Sequence, residues 1–373
     1  MMIAIHDMSG GGAERVVSVL CNQFTQMGVE VCLCYTSNNR NPSVYRLDKR
    51  VEVFYSKSRV LDCFNWMMGK IYLMTALELM VRKRRIRKKA KSFRPAVVLA
   101  VMEGPCRLML QSIGDLDIPV VLRACNSIED QIAVNPKLLG KFSNIYKELS
   151  GIVYQTPDQQ RQYESLFVFS PDVRKAVIQN PVEHSPLWET ERVPEYGEIV
   201  AVGRDHRQKD YPLMFSAFKK AEEQFPGWTL SVYGTLQKKS DLPALITQLE
   251  LDGKVRLCGF CPDVFERIRN ASFFVMSSKY EGLPNALLEA LCLGIPCITT
   301  DFGGGGAATL ISDGKNGVIV PVGDEGALTD AMRRLMGDPA FAEKLGNEAK
   351  LLRHSFAAEE IASRWLDFLN LRV

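Results

Sequence analysis

The sequence lacks an uncharged apolar run of the roughly 18 residues that a membrane-spanning helix needs. The best candidate, residues 61–81, is interrupted by Asp62, Lys70 and Glu78. No basic start is followed by an apolar stretch, so no secretory leader is expected. Glycine (27) and proline (18) are used at near-average levels, which excludes collagen-like and low-complexity chains. Metal-binding spacings are also missing. Cys258-Gly259-Phe260-Cys261 has redox-motif spacing but does not open a helix, and no second cysteine pair follows to complete a zinc site. Asp115-Leu116-Asp117 has no further ligands beside it and reads as a loop. No nucleic-acid-binding motif or interleaved aromatic platform is found.

What is present points to an ordinary folded protein. The chain has 373 residues, of which 46 % are hydrophobic and 24 % charged. At roughly 150 residues per domain this suggests two domains, or three. Domains of that size bury roughly 70 % of their unfolded surface and need no disulfide or metal staple. The ten cysteines lie mostly inside apolar patterns, as reduced cytosolic cysteines do. A soluble cytoplasmic location is expected.

Charge is uneven. Residues 1–190 carry 25 Lys+Arg against 18 Asp+Glu, a net of +7; residues 191–373 carry 21 against 25, a net of −4. The main source is residues 82–91, with eight cations in ten positions, just after a Met- and aromatic-rich stretch. Such a run is a solvated helix face or an anion-binding surface. The preceding apolar segment makes a membrane surface the expected partner, with Arg82, Arg84, Arg85 and Lys88 as candidate contacts.

Short apolar runs alternate with helical patterns throughout, which indicates parallel sheets covered by helices on both faces. Residues 180–198 hold three prolines and no apolar period. The expected organisation is an α/β chain of two doubly wound, Rossmann-like domains, 1–180 and 199–355. A linker, 181–198, joins them, and a last helix, 356–371, could return to the first domain. Ligands of such sheets bind beyond the strands' carboxyl ends, so a cleft between the domains is the expected site.

Four segments carry chemistry. Ser9-Gly10-Gly11-Gly12-Ala13-Glu14-Arg15 follows the first strand and opens a helix, where amides and the helix dipole favour an anion. It matches neither the dinucleotide fingerprint nor a phosphate loop. Gly203-Arg204 and Lys209 lie after the first strand of the second half; Arg supplies a planar fork and Lys a point charge for a diphosphate. The strongest segment is Glu281-Gly282-Leu283-Pro284-Asn285 with Glu289, in which two carboxylates stand eight residues apart around a helix start. Pro284 suits the first helical position there. Gly303–Gly306 form a glycine-rich turn, and Asp313-Gly314-Lys315-Asn316-Gly317 reads as a structural turn.

In order and spacing these segments resemble retaining glycosyltransferase family 4, of the GT-B fold. The likeness rests on Gly203-Arg204…Lys209-Asp210, Glu281-Gly282-Leu283-Pro284-Asn285…Glu289-Ala290…Gly294-Ile295-Pro296 and Asp313-Gly314-Lys315-Asn316-Gly317. The resemblance implies a nucleotide-diphosphate sugar as donor substrate, with no metal and no cofactor. Arg204 and Lys209 would hold the diphosphate, Glu289 the ribose and Glu281 the donor sugar. Gly203 and Gly282, Leu283, Pro284 and Asn285 would border the phosphates, and Gly11 and Gly12 would approach from the first domain. The family often carries a His in a first-domain loop; here the stretch is Arg123-Ala124-Cys125-Asn126, and Arg123 and Asn126 are the acceptor-side candidates. Thr309 stands where many members have an acid.

The expected function is sugar transfer with retention to a lipid-linked or other glycan acceptor, at the inner face of the cell membrane. The competing readings are a nucleotide-sugar epimerase of the same fold and a non-catalytic module for anionic membranes or polymers.

Overall fold

The computed structural model describes residues 1–37, 42–57, 72–125 and 127–371. The chain divides into two compact units, Met1–Pro181 with Ala358–Val373, and Val182–Ala357.

The first unit is built on a parallel sheet of β1 (Met2–Ile5), β2 (Cys32–Tyr35), β3 (Glu52–Tyr55), β4 (Val98–Val101), β5 (Val120–Arg123), β6 (Gly151–Tyr154) and β7 (Arg174–Val177). Their order is β3-β2-β1-β4-β5-β6-β7, so the winding reverses between β1 and β4. Strands β1, β2, β4, β5 and β6 are buried at every position, as strands covered on both faces must be. Two helices share one cover. Helix α1 (Gly12–Gln26) buries Val16, Val17, Leu20, Cys21 and Phe24. The carboxyl-terminal helix (Ala358–Leu369) buries Ile361, Ala362, Trp365, Leu366 and Leu369, at the same spacing, in the same core. Each such apolar side chain contributes roughly 1.5–3 kcal/mol when removed from water.

Helix α2 (Tyr72–Phe93) holds the basic run, and its cations fall into two classes. Ile86 and Ala90 are buried against the core. On that side Arg82 donates to the Thr36 carbonyl and pairs with Glu78, and Arg85 donates to the Ser56 and Tyr55 carbonyls at 3.0 and 3.1 Å. Arg87 binds Asp115, which removes that aspartate from the metal-like triplet, and Lys89 binds Glu52. Arg84, Lys88 and Lys91 are exposed. Arg82 and Arg85, expected as membrane contacts, are therefore engaged within the fold, because their side chains lie where the ends of β2 and β3 present open carbonyls. No helix among the described residues is long and apolar enough to cross a membrane.

The second unit has a parallel sheet of β8 (Glu195–Val202), β9 (Thr229–Tyr233), β10 (Val255–Gly259), β11 (Ala271–Met276), β12 (Cys297–Thr300) and β13 (Val318–Val320), in the order β10-β9-β8-β11-β12-β13. Strand β8 begins inside the stretch read as linker. Glu195 pairs with Ala271, Ser272 bonds both Gly197 and Glu195, and Arg192 donates to the Arg269, Ala271 and Ser272 carbonyls. Burial lowers the Arg192 pKa to about 10. The proline-rich segment itself folds back on this unit, with the Val182 amide donating to the Phe356 carbonyl at 2.7 Å.

One buried acid stands apart. Glu103 opens helix α3 (Glu103–Ile113) at the reversal point of the first sheet, behind Met102, whose φ of +68° is rare for a side-chain-bearing residue. Its carboxylate accepts from Tyr146 at 3.2 Å and Tyr163 at 2.9 Å. Burial is the largest influence and raises its pKa; the two hydroxyls and its own amide act in the opposite sense. A group with a raised folded pKa contributes stability that is complete below its unfolded value and is lost as pH rises through the folded value. The melting temperature of Glu103→Gln relative to wild type should therefore climb between pH 5 and pH 8. A difference independent of pH over that window would refute the assignment.

Candidate functional site

The site forms where the winding of the second sheet reverses. Strands β8 and β11 are hydrogen-bonded neighbours, with Ile199 opposite Phe273 and Val200 opposite Phe274. From β8 the chain steps outward through β9 and β10; from β11 it steps the other way through β12 and β13. The loops leaving β8 and β11 therefore diverge and leave a crevice between them, the usual ligand position in such sheets. The two loops carry Gly203–Asp210 and Ser277–Pro284.

The two are joined by charge. Lys209 Nζ donates to Glu281 Oε1 at 2.7 Å, and the side chains are only 15 % and 13 % exposed. Ser278 Oγ donates to the same oxygen at 2.9 Å. Among the described residues Oε2 of Glu281 accepts no bond, so one oxygen is anchored and the other is open. Backbone contacts reinforce the join: the Lys279 amide donates to the Gln208 carbonyl at 2.8 Å, and the Gln208 side-chain amide donates to the Tyr280 carbonyl at 2.7 Å.

Local sequence explains how Lys209 is aimed. His206 caps the 3-10 turn Arg207–Lys209, its Nδ1 accepting from the Gln208 amide at 3.3 Å. That requires a neutral ring. Burial, then Arg204 and Arg207, lower the His206 pKa in agreement. Gly203 has no side chain because the Lys209 stem occupies the space: a Cβ would lie 2.8 Å from Lys209 Cε. The Tyr211 hydroxyl donates to the Gly203 carbonyl at 2.7 Å. Arg204 is exposed and makes no ion pair or side-chain hydrogen bond among the described residues. The two expected phosphate cations thus differ: Lys209 is already paired, Arg204 is not.

Helix α10 runs Asn285–Leu293, counting helices α4 (Ile128–Val134), α5 (Leu138–Lys147) and α6 (Pro157–Leu166) in the first unit, then α7 (Tyr211–Gln224), α8 (Leu242–Gln248) and α9 (Val264–Ile268) in the second. Pro284 is its N-cap, in an extended conformation, so it stands just before the first helical position and not at it. Its first intrahelical bond is from the Leu288 amide to the Pro284 carbonyl, and the turn ahead of it belongs to the Gly282–Asn285 loop. Glu289 is the fifth residue of the helix and is buried.

The glycine-rich turn after β12 holds the Glu281 loop from its other side. Gly303 bridges to Tyr280, and Thr300 Oγ1 donates to the Ser278 carbonyl at 2.6 Å. A Cβ on Gly306 would collide with the Gly282 carbonyl, so this run serves close backbone approach. Asn316 bonds the Ser312 amide and the Leu310 carbonyl, a structural turn.

On the first unit, Gly11 caps α1 and its carbonyl accepts from Tyr45 Oη at 3.1 Å, with Gly12 the first helical residue. Arg123 is 2 % exposed, its guanidinium donating to Asn180 Oδ1 and, at 2.8 Å, to Cys125 Sγ. It is held inside the unit rather than displayed on its surface. Asn126 lies outside the described residues. Sequence reasoning singled out neither Ser278 nor Gln208, which act through ordinary polar spacing, nor Glu103, a lone acid ending the apolar run Val97–Met102. Among the described residues no group of three His, Cys, Asp or Glu is arranged to hold a metal ion.

Two glycines of the same run separate packing from composition. Gly306→Ala should destabilise the protein by about 1–3 kcal/mol, since a backbone carbonyl must move. Gly303→Ala, with nothing within 4 Å of the added methyl, should stay within about 0.5 kcal/mol of wild type. Equal melting temperatures for the two variants would contradict this packing.

Residues 188–352, which contain the whole site just described, match the family model for glycosyl transferases group 1. An exopolysaccharide phosphotransferase of Streptomyces coelicolor is 35 % identical over 160 residues, 43 % of this chain but 17 % of that protein. The N-acetylgalactosamine-N,N'-diacetylbacillosaminyl-diphospho-undecaprenol 4-alpha-N-acetylgalactosaminyltransferase of Campylobacter jejuni is 29 % identical over 171 residues, 46 % of each chain. The chain thus spans less than half the length of these two curated relatives. A solved S. aureus TarM variant, in complex with fondaparinux, alpha-GlcNAc-glycerol and UDP, superposes with a TM-score of 0.80 at 12 % identity, covering 99 % of both chains. The fold is that of the GT-B glycosyltransferases, and residues 188–352 are similar to the glycosyl transferases group 1 family.

Proposed function

We propose that the protein transfers a sugar from a nucleoside diphosphate sugar to a glycan acceptor in polysaccharide biosynthesis, with retention at the anomeric carbon. The observation that carries this is the Lys209–Glu281 pair at the reversal of the second sheet, with the unpaired Arg204 beside it in sequence. The bond from the anomeric carbon to the phosphate oxygen breaks, and its electron pair leaves with the nucleoside diphosphate. The acceptor hydroxyl forms the new bond on the same face and passes its proton to a departing phosphate oxygen. Arg204 meets the growing phosphate charge in the fork geometry that suits it. Lys209 shares its charge between Glu281 and the phosphate, and the α10 N-terminus adds amide dipoles. Lys209 and the helix amides are fixed before substrate arrives, so the fold has already met the cost of orienting them. The open Oε2 of Glu281 accepts a donor-sugar hydroxyl, and Glu289 the ribose hydroxyls. UDP is the first nucleotide to test, since the TarM structure holds it.

Glu281→Ala should lower turnover by about 10²–10³-fold and, by leaving the largely buried Lys209 ammonium without its carboxylate, lower the melting temperature by several degrees. UDP at a hundred times its Kd should stabilise the protein by about 2.7 kcal/mol. Full activity in Glu281→Ala, or no thermal shift with any nucleoside diphosphate, would defeat the proposal in favour of a non-catalytic module.

For the acceptor we propose a lipid-linked glycan met at an anionic membrane surface, in keeping with the undecaprenol-linked substrate in the name of the Campylobacter jejuni relative. The outer face of α2 supports this. Leu77, Leu79 and Met80 are each 41 % exposed near its start, and Arg84, Lys88 and Lys91 are exposed further on. At about 1 kcal/mol per cation, neutralising Arg84, Lys88 and Lys91 to Gln should weaken binding to phosphatidylserine vesicles about a hundredfold. Undiminished vesicle binding by that triple variant would remove this surface from the proposal.

A further inference from the structure

Ser277 is the first residue after β11 and is 1 % exposed. Its hydroxyl reaches two successive carbonyls of the other loop, Lys209 O at 2.7 Å and Asp210 O at 3.1 Å. Two neighbouring carbonyls converge on one hydroxyl only if the chain turns sharply between them. Asp210 makes that turn, in the left-handed conformation with φ +48° and ψ +50°. A side-chain-bearing residue adopts this conformation only when its surroundings impose it. Lys279 adds a charge to the same turn, its Nζ 3.3 Å from Asp210 Oδ2. The residue just ahead of the turn is Lys209, whose ammonium must find Glu281.

We infer that Ser277 is a positioning residue for diphosphate binding: its hydroxyl clamps the Lys209–Asp210 turn and thereby aims Lys209 at Glu281. This deepens the donor-site reading and rests on it. The clamp sits on a rigid support, since Ser277 continues a strand buried along its whole length. Without the hydroxyl, the Lys209 carbonyl loses a donor in an enclosed place, the Asp210 carbonyl keeps only the Met214 amide, and the left-handed turn loses one of the contacts that hold it. The ammonium then samples several directions, and a phosphate must order it on binding.

The test compares wild type, Ser277→Ala, Ser277→Thr, Lys209→Ala and the Ser277→Ala/Lys209→Ala double variant of the full chain. Inorganic pyrophosphate is titrated calorimetrically as a probe that does not depend on the nucleotide base. Ser277→Ala should raise its Kd at least tenfold with a melting temperature close to wild type, and Ser277→Thr should restore binding. In the Lys209→Ala background the Ser277→Ala change should have no further effect, which a merely structural role would not produce. Wild-type affinity in Ser277→Ala, or fully additive losses in the double variant, would overturn the inference. Hydrogen exchange provides an arm independent of any ligand. The Lys279 amide, which donates to Gln208 across the join, should exchange several-fold faster in Ser277→Ala. Should wild type itself fail to bind pyrophosphate, the diphosphate reading falls, and exchange alone decides the clamp: acceleration supports it and unchanged exchange overturns it.

Discussion

The second unit is organised around one ion pair. Lys209 and Glu281 are 72 residues apart in sequence and 2.7 Å apart in space. Nothing local brings them together; the hydrogen-bonded neighbours β8 and β11 do. Both charges are largely withdrawn from water, so each would be costly alone. Together, and with Ser278 on the same oxygen, they are stable enough to hold two diverging loops in register. The pair also sets the electrostatics of the crevice. One cation is neutralised in place, while Arg204 and Arg207 of the loop that follows β8 are exposed and make no ion pair among the described residues. The loop therefore presents exposed guanidinium groups together with an ammonium that is already oriented.

The rest of the crevice protects that geometry from both sides. Gln208 and Ser277 tie the Lys209 turn to the strand it faces. Gly303, Gly306 and Thr300 press the Glu281 loop from the β12 side. Backbone carbonyls receive most of these bonds. That matters physically, because carbonyl positions are set by the chain and not by flexible side chains. Glycine at 306 is then a packing requirement: any larger residue would push the Gly282 carbonyl, and with it the adjoining Glu281.

Much of this is legible in the sequence. Buried parallel strands are continuous apolar runs, so Phe273–Met276 and Ile199–Val202 announced themselves. Helices α7 and α10 were readable from their apolar periods and their flanking Pro and Gly. The Glu-Gly-Leu-Pro-Asn…Glu spacing marks the candidate site because it combines a tight turn, a helix start and two acids. The missing parts share a cause. Glu195–Glu198 read as linker, yet pairing with Ala271 and a bond from Ser272 recruit them into β8. Pro284 could stand at the first helical position or just before it, and only its extended conformation decides. Ser277 and Gln208 carry no signal at all, since their partners are carbonyls of a distant loop.

The basic helix shows the same limit in its sharpest form. Composition gives eight cations in ten positions and treats them alike. Folding divides them by helical phase. Arg82 and Arg85 lie over the ends of β2 and β3, where Thr36, Tyr55 and Ser56 present carbonyls beyond the last ladder bonds. A guanidinium is suited to such a place, having several donors in one plane and a flat face that stacks on an aromatic ring, here Phe54, whose centroid lies 5.7 Å from Arg85 Cζ. Arg84, Lys88 and Lys91 lie on the opposite phase and remain exposed. Removing charge from the first class would loosen the sheet edge, whereas removing it from the second would change only what the surface attracts. Wholesale charge reversal of the run mixes the two effects, and only substitutions confined to the outer phase measure attraction to a membrane.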